Sequence, residues 1–157
     1  MMATQFTLKD ILENAIRKEI DSQLLYTSLS QKVEDETVKD VLQELVGQEK
    51  GHQELLERYL RGEIKEGTLS YEQSIDDKIA EHLDQPEIAP DIKLKDVFLL
   101  AADLEALAHE FYLSLAGIHP AGEMKELLEG LADQELKHKQ QVELLYTEVA
   151  FPQTDGG

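Results

Sequence analysis

One set of residues occurs twice in this chain at a constant offset. Glu19, Tyr26, Glu49 and His52 reappear 86 positions later as Glu105, Tyr112, Glu135 and His138. The repeat reaches further. Leu8-Lys9-Asp10 returns as Leu94-Lys95-Asp96, and Ala15, Ser28, Leu29, Leu42, Leu45 and Gln48 return as Ala101, Ser114, Leu115, Leu128, Leu131 and Gln134. Self-similarity at a fixed period marks two copies of one supersecondary unit. Most of the shared positions are apolar or adjoin the Glu and His pairs, so the units share an inner face rather than a surface. Two such units facing each other predict an all-α fold.

Helical spacing runs through each unit. Leu8, Ile11, Leu12, Ala15, Ile16, Tyr26 and Leu29 follow a period of 3.6, with Glu19 interrupting the apolar stripe. Thr7 suits the N-cap of this first helix, with Asp10 near the positive end of its dipole. The expected helices cover about 8–32, 35–61, 93–116 and 120–149, all within one domain spanning 1–157. The second begins near Asp35. Gly117-Ile118-His119-Pro120 ends the third, and Pro120 is placed in the first turn of the fourth. Between the hairpins, residues 62–91 carry Gly67, Pro86 and Pro90. That stretch is too long for a hairpin turn and is read as a crossover along the bundle, with room for a short helix around Ile75–Leu83. The expected architecture is an up-down four-helix bundle made of two repeated helical hairpins joined by that crossover. Pro152 and the Gly156-Gly157 tail are expected to be loosely ordered.

Composition excludes several function classes. A formal charge of −18 disfavours nucleic acid, whose phosphates require a basic face, and anionic membrane surfaces as well. The chain has no cysteine, which removes disulfides, thiolate zinc sites, iron–sulfur clusters and a cysteine nucleophile. No N-terminal segment resembles a signal peptide, and no apolar run reaches the roughly 18 residues a membrane span needs. The expected location is the cytoplasm. The acidic surface is read as ordinary solvation.

The repeated polar residues converge. In an antiparallel hairpin, residues equidistant from the turn lie level with one another. The midpoint of Glu19 and Glu49 is position 34, in the first expected turn, and that of Glu105 and Glu135 is position 120, in the second. A three-residue step brings two helical side chains onto one face, so Glu49 joins His52 and Glu135 joins His138. Two facing hairpins therefore gather Glu19, Glu49, His52, Glu105, Glu135 and His138 around one small volume. Burying an unpaired carboxylate costs several kcal/mol, and four together repel. A pair of divalent cations offsets that cost, and paired Glu with paired Glu-x-x-His is the ligand plan of a dinuclear site in a bundle. Carboxylate and imidazole without thiolate suit iron or manganese, with zinc possible.

With these residues the chain resembles the ferritin-like diiron-carboxylate superfamily, and within it the rubrerythrin-like branch, over roughly residues 7–150. The motifs are Glu19 with Tyr26, Glu49-Lys50-Gly51-His52, Glu105 with Tyr112, and Glu135-Leu136-Lys137-His138. The resemblance implies that Glu49 and Glu135 bridge two iron ions, that Glu19 and His52 complete one, and that Glu105 and His138 complete the other. It implies that Tyr26 and Tyr112 hydrogen-bond ligand carboxylates. Two departures stand out. The Cys-rich rubredoxin module of rubrerythrins proper has no counterpart here. The family also tends to carry a further Glu three residues after the ligand of the third helix, where this chain has Ala108. That extra carboxylate is linked in the family to peroxide reduction.

The implied function is that of a diiron oxidoreductase reacting with hydrogen peroxide or dioxygen and re-reduced by a separate electron-donor protein. Ferroxidase activity feeding iron storage, a small diiron oxygenase and a metal-free helical interaction domain are the alternatives. Outward apolar residues such as Leu55, Leu99 and Leu100 suit a homodimer interface or cover by the crossover. His109, four residues after Glu105, is read as flanking the site or exposed rather than as a ligand. His82 and His119 fall in expected loops and receive no role.

Overall fold

The computed structural model describes residues 6–84, 88–89 and 91–151. Pro86, Pro90, Pro152 and the Gly156-Gly157 tail lie outside the described residues. The order of elements is β1 (Phe6–Thr7), α1 (Leu8–Lys32), α2 (Glu36–Leu60), β2 (Ser74–Ile75), α3 (Asp77–Glu81), α4 (Leu94–Gly117) and α5 (Glu123–Ala150). The four long helices form the expected four-helix bundle, with α1 packed on α2 and α4 packed on α5.

The N-termini of the first hairpin follow from local chemistry. The Thr7 hydroxyl accepts from the Asp10 amide while the Asp10 carboxylate accepts from the Thr7 amide, each at 3.2 Å. This reciprocal capping box satisfies two donors that a helix start would leave orphaned. The Asp35 side chain accepts from the amides of Thr37 and Val38 and starts α2. Two further amides at the start of α1 are satisfied by the crossover: Leu8 donates to the Gln73 carbonyl and Lys9 to that of Tyr71. β1 pairs antiparallel with β2, Phe6 opposite Ile75, which pins the crossover to the N-terminus. A two-residue ladder leaves too short a pattern to read from sequence. The short helix expected around Ile75–Leu83 is found as α3, capped by Asp76.

The fourth helix begins later than expected. Its N-cap is Gly122, so Pro120 lies in the preceding loop instead of the first helical turn. The cause is tertiary. The Met124 amide donates to the Glu66 carbonyl, and a Cβ on Gly122 would stand 3.4 Å from the Gly67 Cα. The 62–73 loop and the α4–α5 loop thus meet backbone to backbone at one end of the bundle.

Burial divides the interior in two. One apolar cluster includes Leu8, Ile11, Leu12, Leu56, Phe111, Leu115, Met124 and Leu128, together with Ile75, Ile79 and Leu83 of the crossover. The other includes Leu29, Val38, Leu42, Leu45, Phe98, Ala101 and Val142. On every long helix the proposed ligands fall between the two, as with Glu19 between Ala15 and Tyr26 on α1. Of the three outward leucines, Leu55 packs partly buried against the first cluster, whereas Leu99 is 41% exposed.

Candidate metal centre

Six polar side chains occupy the layer between the two apolar clusters. Glu19, Glu49, His52, Glu105, Glu135 and His138 are all buried, none more than 4% exposed. They form two groups whose ligand atoms lie within 4.8 Å of one another: Glu19, Glu49, His52 and Glu135, and Glu49, Glu105, Glu135 and His138. Glu49 and Glu135 belong to both groups. Every residue expected from sequence to ligate metal is therefore brought to one place.

The close contacts cross between the hairpins. The Nδ1 of His138 lies 2.7 Å from Glu49 Oε1, and that of His52 lies 2.6 Å from Glu135 Oε1. The second distance is short, yet neither atom is aligned for a hydrogen bond, and Glu19 Oε2 and Glu105 Oε2 also lack partners. Buried polar atoms are paired in the great majority of cases. Here several unpaired ones sit together, which is the pattern of donor atoms converging on shared points rather than bonding each other.

The electrostatics express the same crowding. Burial raises the Glu19 and Glu105 carboxyls well above the ordinary range, with the charges of neighbouring Glu49 and Glu135 adding to it. Burial and the charges of Glu49 and Glu19 push Glu135 up to about 8. At Glu49 burial also opposes ionisation, but the adjacent Glu19 carboxyl, the hydrogen bond with His138 and the nearby His52 ring outweigh it and hold the group below the usual carboxylate range. For His52 burial favours the neutral ring, and the carboxylates of Glu135, Glu19 and Glu49 crowded around its Nδ1 reverse that and favour the imidazolium. Four carboxylates confined to this volume cannot all ionise unless positive charge joins them. Oxygen and imidazole donors in two overlapping groups, with orphaned atoms and a deficit of positive charge, fit two divalent cations.

Two sets of side chains brace the candidate ligands from behind. The Tyr26 hydroxyl on α1 donates to Glu105 Oε1 on α4, and the Tyr112 hydroxyl on α4 donates to Glu19 Oε1 on α1, each at 2.5 Å. The tyrosines thus bond the carboxylate of the opposite hairpin and not the ligand two turns away on their own helix. Burial, then the charge of the accepting Glu, raises both phenols, so they stay protonated donors. The second set is Gln48 and Gln134. Gln134 Oε1 lies 2.6 Å from His52 Nε2, and Gln48 Oε1 bonds His138 Nε2. A carbonyl oxygen only accepts, so each Nε2 carries a hydrogen and each Nδ1 is turned towards the carboxylates. Sequence reasoning assigned the glutamines no part in the site. Their signal was their place in the 86-residue repeat, one position before each shared Glu.

The remaining histidines separate. His109 Nδ1 lies 2.7 Å from the Ala132 carbonyl and ties α4 to α5 without joining either ligand group. His119 is buried: its Nδ1 donates to the Leu115 carbonyl, so its Nε2 accepts from the Tyr59 hydroxyl at 2.9 Å. That hydroxyl also accepts from the Leu69 amide, which fastens the 62–73 loop to the bundle end. His82, left without a role by sequence, lines a cavity against the carboxylate cluster.

A four-helix bundle with two overlapping Glu/His groups at its centre defines a ferritin-like protein of the diiron-carboxylate type. Residues 10–88 match the rubrerythrin family model, and the chain belongs to that family. Among solved structures it is similar to a hypothetical protein from Pyrococcus furiosus, with 28% identity and a TM-score of 0.71 over 92% of this chain and 91% of that one. It is also similar to a protein from Thermotoga maritima described as ferritin-like diiron-carboxylate, with 22% identity and a TM-score of 0.72 over 94% and 99% of the two chains. A manganese catalase from Anabaena shares the fold, with 17% identity and a TM-score of 0.65 over 100% and 81%. Comparison with curated protein sequences yields no match.

Proposed function

We propose that this chain is a dinuclear iron oxidoreductase that reduces hydrogen peroxide or dioxygen and is re-reduced by a separate electron-donor protein. The observation that carries the reading is the sharing of Glu49 and Glu135 between two otherwise distinct ligand groups, which is the arrangement two bridged cations require. Glu19 and His52 would complete one cation site, Glu105 and His138 the other. Bound iron would supply the redox chemistry, cycling between ferrous and ferric forms. Manganese and zinc satisfy the same donors.

The chain's own residues do the rest. The Tyr26 and Tyr112 hydroxyls hold one oxygen of Glu105 and of Glu19, which orients the other towards the centre. Gln48 and Gln134 fix the imidazoles so that Nδ1 faces inward. The apolar clusters on both sides keep bulk water away, which strengthens the charge interactions within. The absence of cysteine leaves no thiolate centre in this chain to relay electrons, so the reading takes them from a separate protein. No helix among the described residues is long and apolar enough to cross a membrane. The proposed place of action is the cytoplasm. Outward residues such as Leu99 suit a homodimer.

The test is metal analysis followed by anaerobic ferrous loading and optical spectroscopy on adding peroxide or air. About two irons per chain and an oxo-bridged ferric band are expected. Faster oxidation by peroxide than by air would mark the peroxide-reducing form of the activity. Absence of iron above background, with Glu49→Ala changing nothing, would sink the reading.

A further inference from the structure

The two sides of the carboxylate layer differ. On the α2 and α5 side, His52 and His138 are backed by Gln134 and Gln48. On the α1 and α4 side lies a small cavity lined by all four glutamates, with Ala108 on one wall and His82 of the crossover over it. Its volume is about 20 Å³. One water-sized molecule needs roughly 10–15 Å³ and two to four polar partners. Among the buried side-chain atoms without a hydrogen bond, Glu19 Oε2, Glu105 Oε2, Glu135 Oε1 and His82 Nδ1 all belong to residues lining this cavity. The three carboxylate oxygens are donors the cations would take up, which leaves His82 Nδ1 for a bound molecule.

His82 is held from both sides. It is the C-cap residue of α3, which Asp76 caps at the other end, and the adjacent Leu83 is buried in the first apolar cluster with Ile79 and Ala80. A buried imidazole nitrogen without a partner is costly, at about the free energy of a lost hydrogen bond. A half-buried residue at the end of a short surface helix has simpler places to put a ring. We infer that His82 roofs the cavity and hydrogen-bonds, through Nδ1, the hydrogen peroxide or dioxygen held against the carboxylate cluster. This rests on the dinuclear reading proposed above. His82 would contact the oxidant and would not ligate metal, in keeping with its absence from both ligand groups.

The probe is azide, a linear triatomic anion whose binding to ferric iron is read by absorption. Iron-loaded His82→Phe should bind azide about fivefold to tenfold more weakly than wild type, the loss expected for one hydrogen bond. His82→Asn, whose amide can occupy the place of Nδ1, should restore most of the affinity. Both should hold as much iron as wild type. Should the Phe variant fail to fold, His82→Leu carries the same comparison with a smaller side chain. Unchanged azide affinity in iron-loaded variants would overturn this inference alone. So would loss of iron from the Phe variant, which would make His82 a ligand or a prop. A wild-type chain that takes up no iron would overturn the dinuclear reading and this inference with it.

Discussion

The Tyr26 hydroxyl reaches across the bundle to donate a 2.5 Å hydrogen bond to Glu105, a residue 79 positions away in sequence. Its repeat counterpart, Tyr112, does the same to Glu19. Each hairpin therefore holds a proposed ligand of the other. Tyr26→Phe and Tyr112→Phe should each leave a buried carboxyl oxygen unpartnered and lower stability by about 1–3 kcal/mol. Metal affinity should fall by about tenfold or more per substitution. Thermal melts and chelator-competition titrations measure the two effects, and a variant that melts like wild type with unaltered affinity would contradict the assigned role.

Gln48 and Gln134 are expected to act through the histidines. Gln48→Leu or Gln134→Leu removes the acceptor that keeps Nε2 protonated, so metal affinity should drop by about tenfold to a hundredfold. Gln48→Glu should retain or tighten binding, because a carboxylate is the stronger acceptor. Zinc competition separates the cases without reference to any activity. Equal affinities for the Leu and Glu variants would rule out orientation through this bond.

Divalent metal should stabilise the fold strongly, since it binds the native arrangement and supplies the charge four buried carboxylates lack. At a free concentration about one hundredfold above its dissociation constant, a cation adds about 2.7 kcal/mol. The melting temperature should rise on loading and fall on chelation. In the Glu49→Leu, Glu135→Leu double variant that dependence should vanish, while the chain, relieved of two buried carboxylates, melts no lower than metal-depleted wild type. A double variant that still responds to metal would place the cations elsewhere.

His119 gives the bundle end a defined pH response. Burial lowers its pKa below the ordinary value, the Leu115 hydrogen bond only partly opposing it. The unfolded chain therefore takes up a proton near pH 6.5 while the native chain resists it. The associated stability is fully present above about pH 6.5 and is lost as pH falls through the lowered native value. Urea midpoints between pH 7.5 and 5 should fall more steeply for wild type than for His119→Gln. Parallel slopes would show that the ring titrates normally.

Gly67 has φ +75° and approaches the Gly122 backbone at the junction of two loops. Gly67→Ala forces a Cβ into the left-handed region and should cost roughly 1–2 kcal/mol. Metal stoichiometry should be unchanged, because the junction lies beyond the first apolar cluster from the ligands. A shift in the denaturant midpoint with constant slope is the expected signature.

The sequence by itself determined the four-helix plan and the six converging side chains. Both are periodic information: a 3.6-residue stripe interrupted by Glu19, a three-residue step from Glu49 to His52, and one offset that maps each onto its copy. Thr7 was readable as a cap because a cap acts within three residues, whereas Asp35 was placed only near the start of the second helix. Only the tertiary structure decided which partner each bracing side chain takes. Nothing local tells Tyr26 to bond Glu105 and not Glu19, or Gln48 to bond His138 and not a group on its own helix, since that choice depends on the offset between facing hairpins. The same holds for Pro120, displaced from α5 by the backbone contact of Gly67 with Gly122, and for His119, buried by a loop from another hairpin. His82 is the clearest case. In sequence it is one histidine in an irregular crossover, and its place over the carboxylates arises only when Ile79 and Leu83 bury themselves against the bundle.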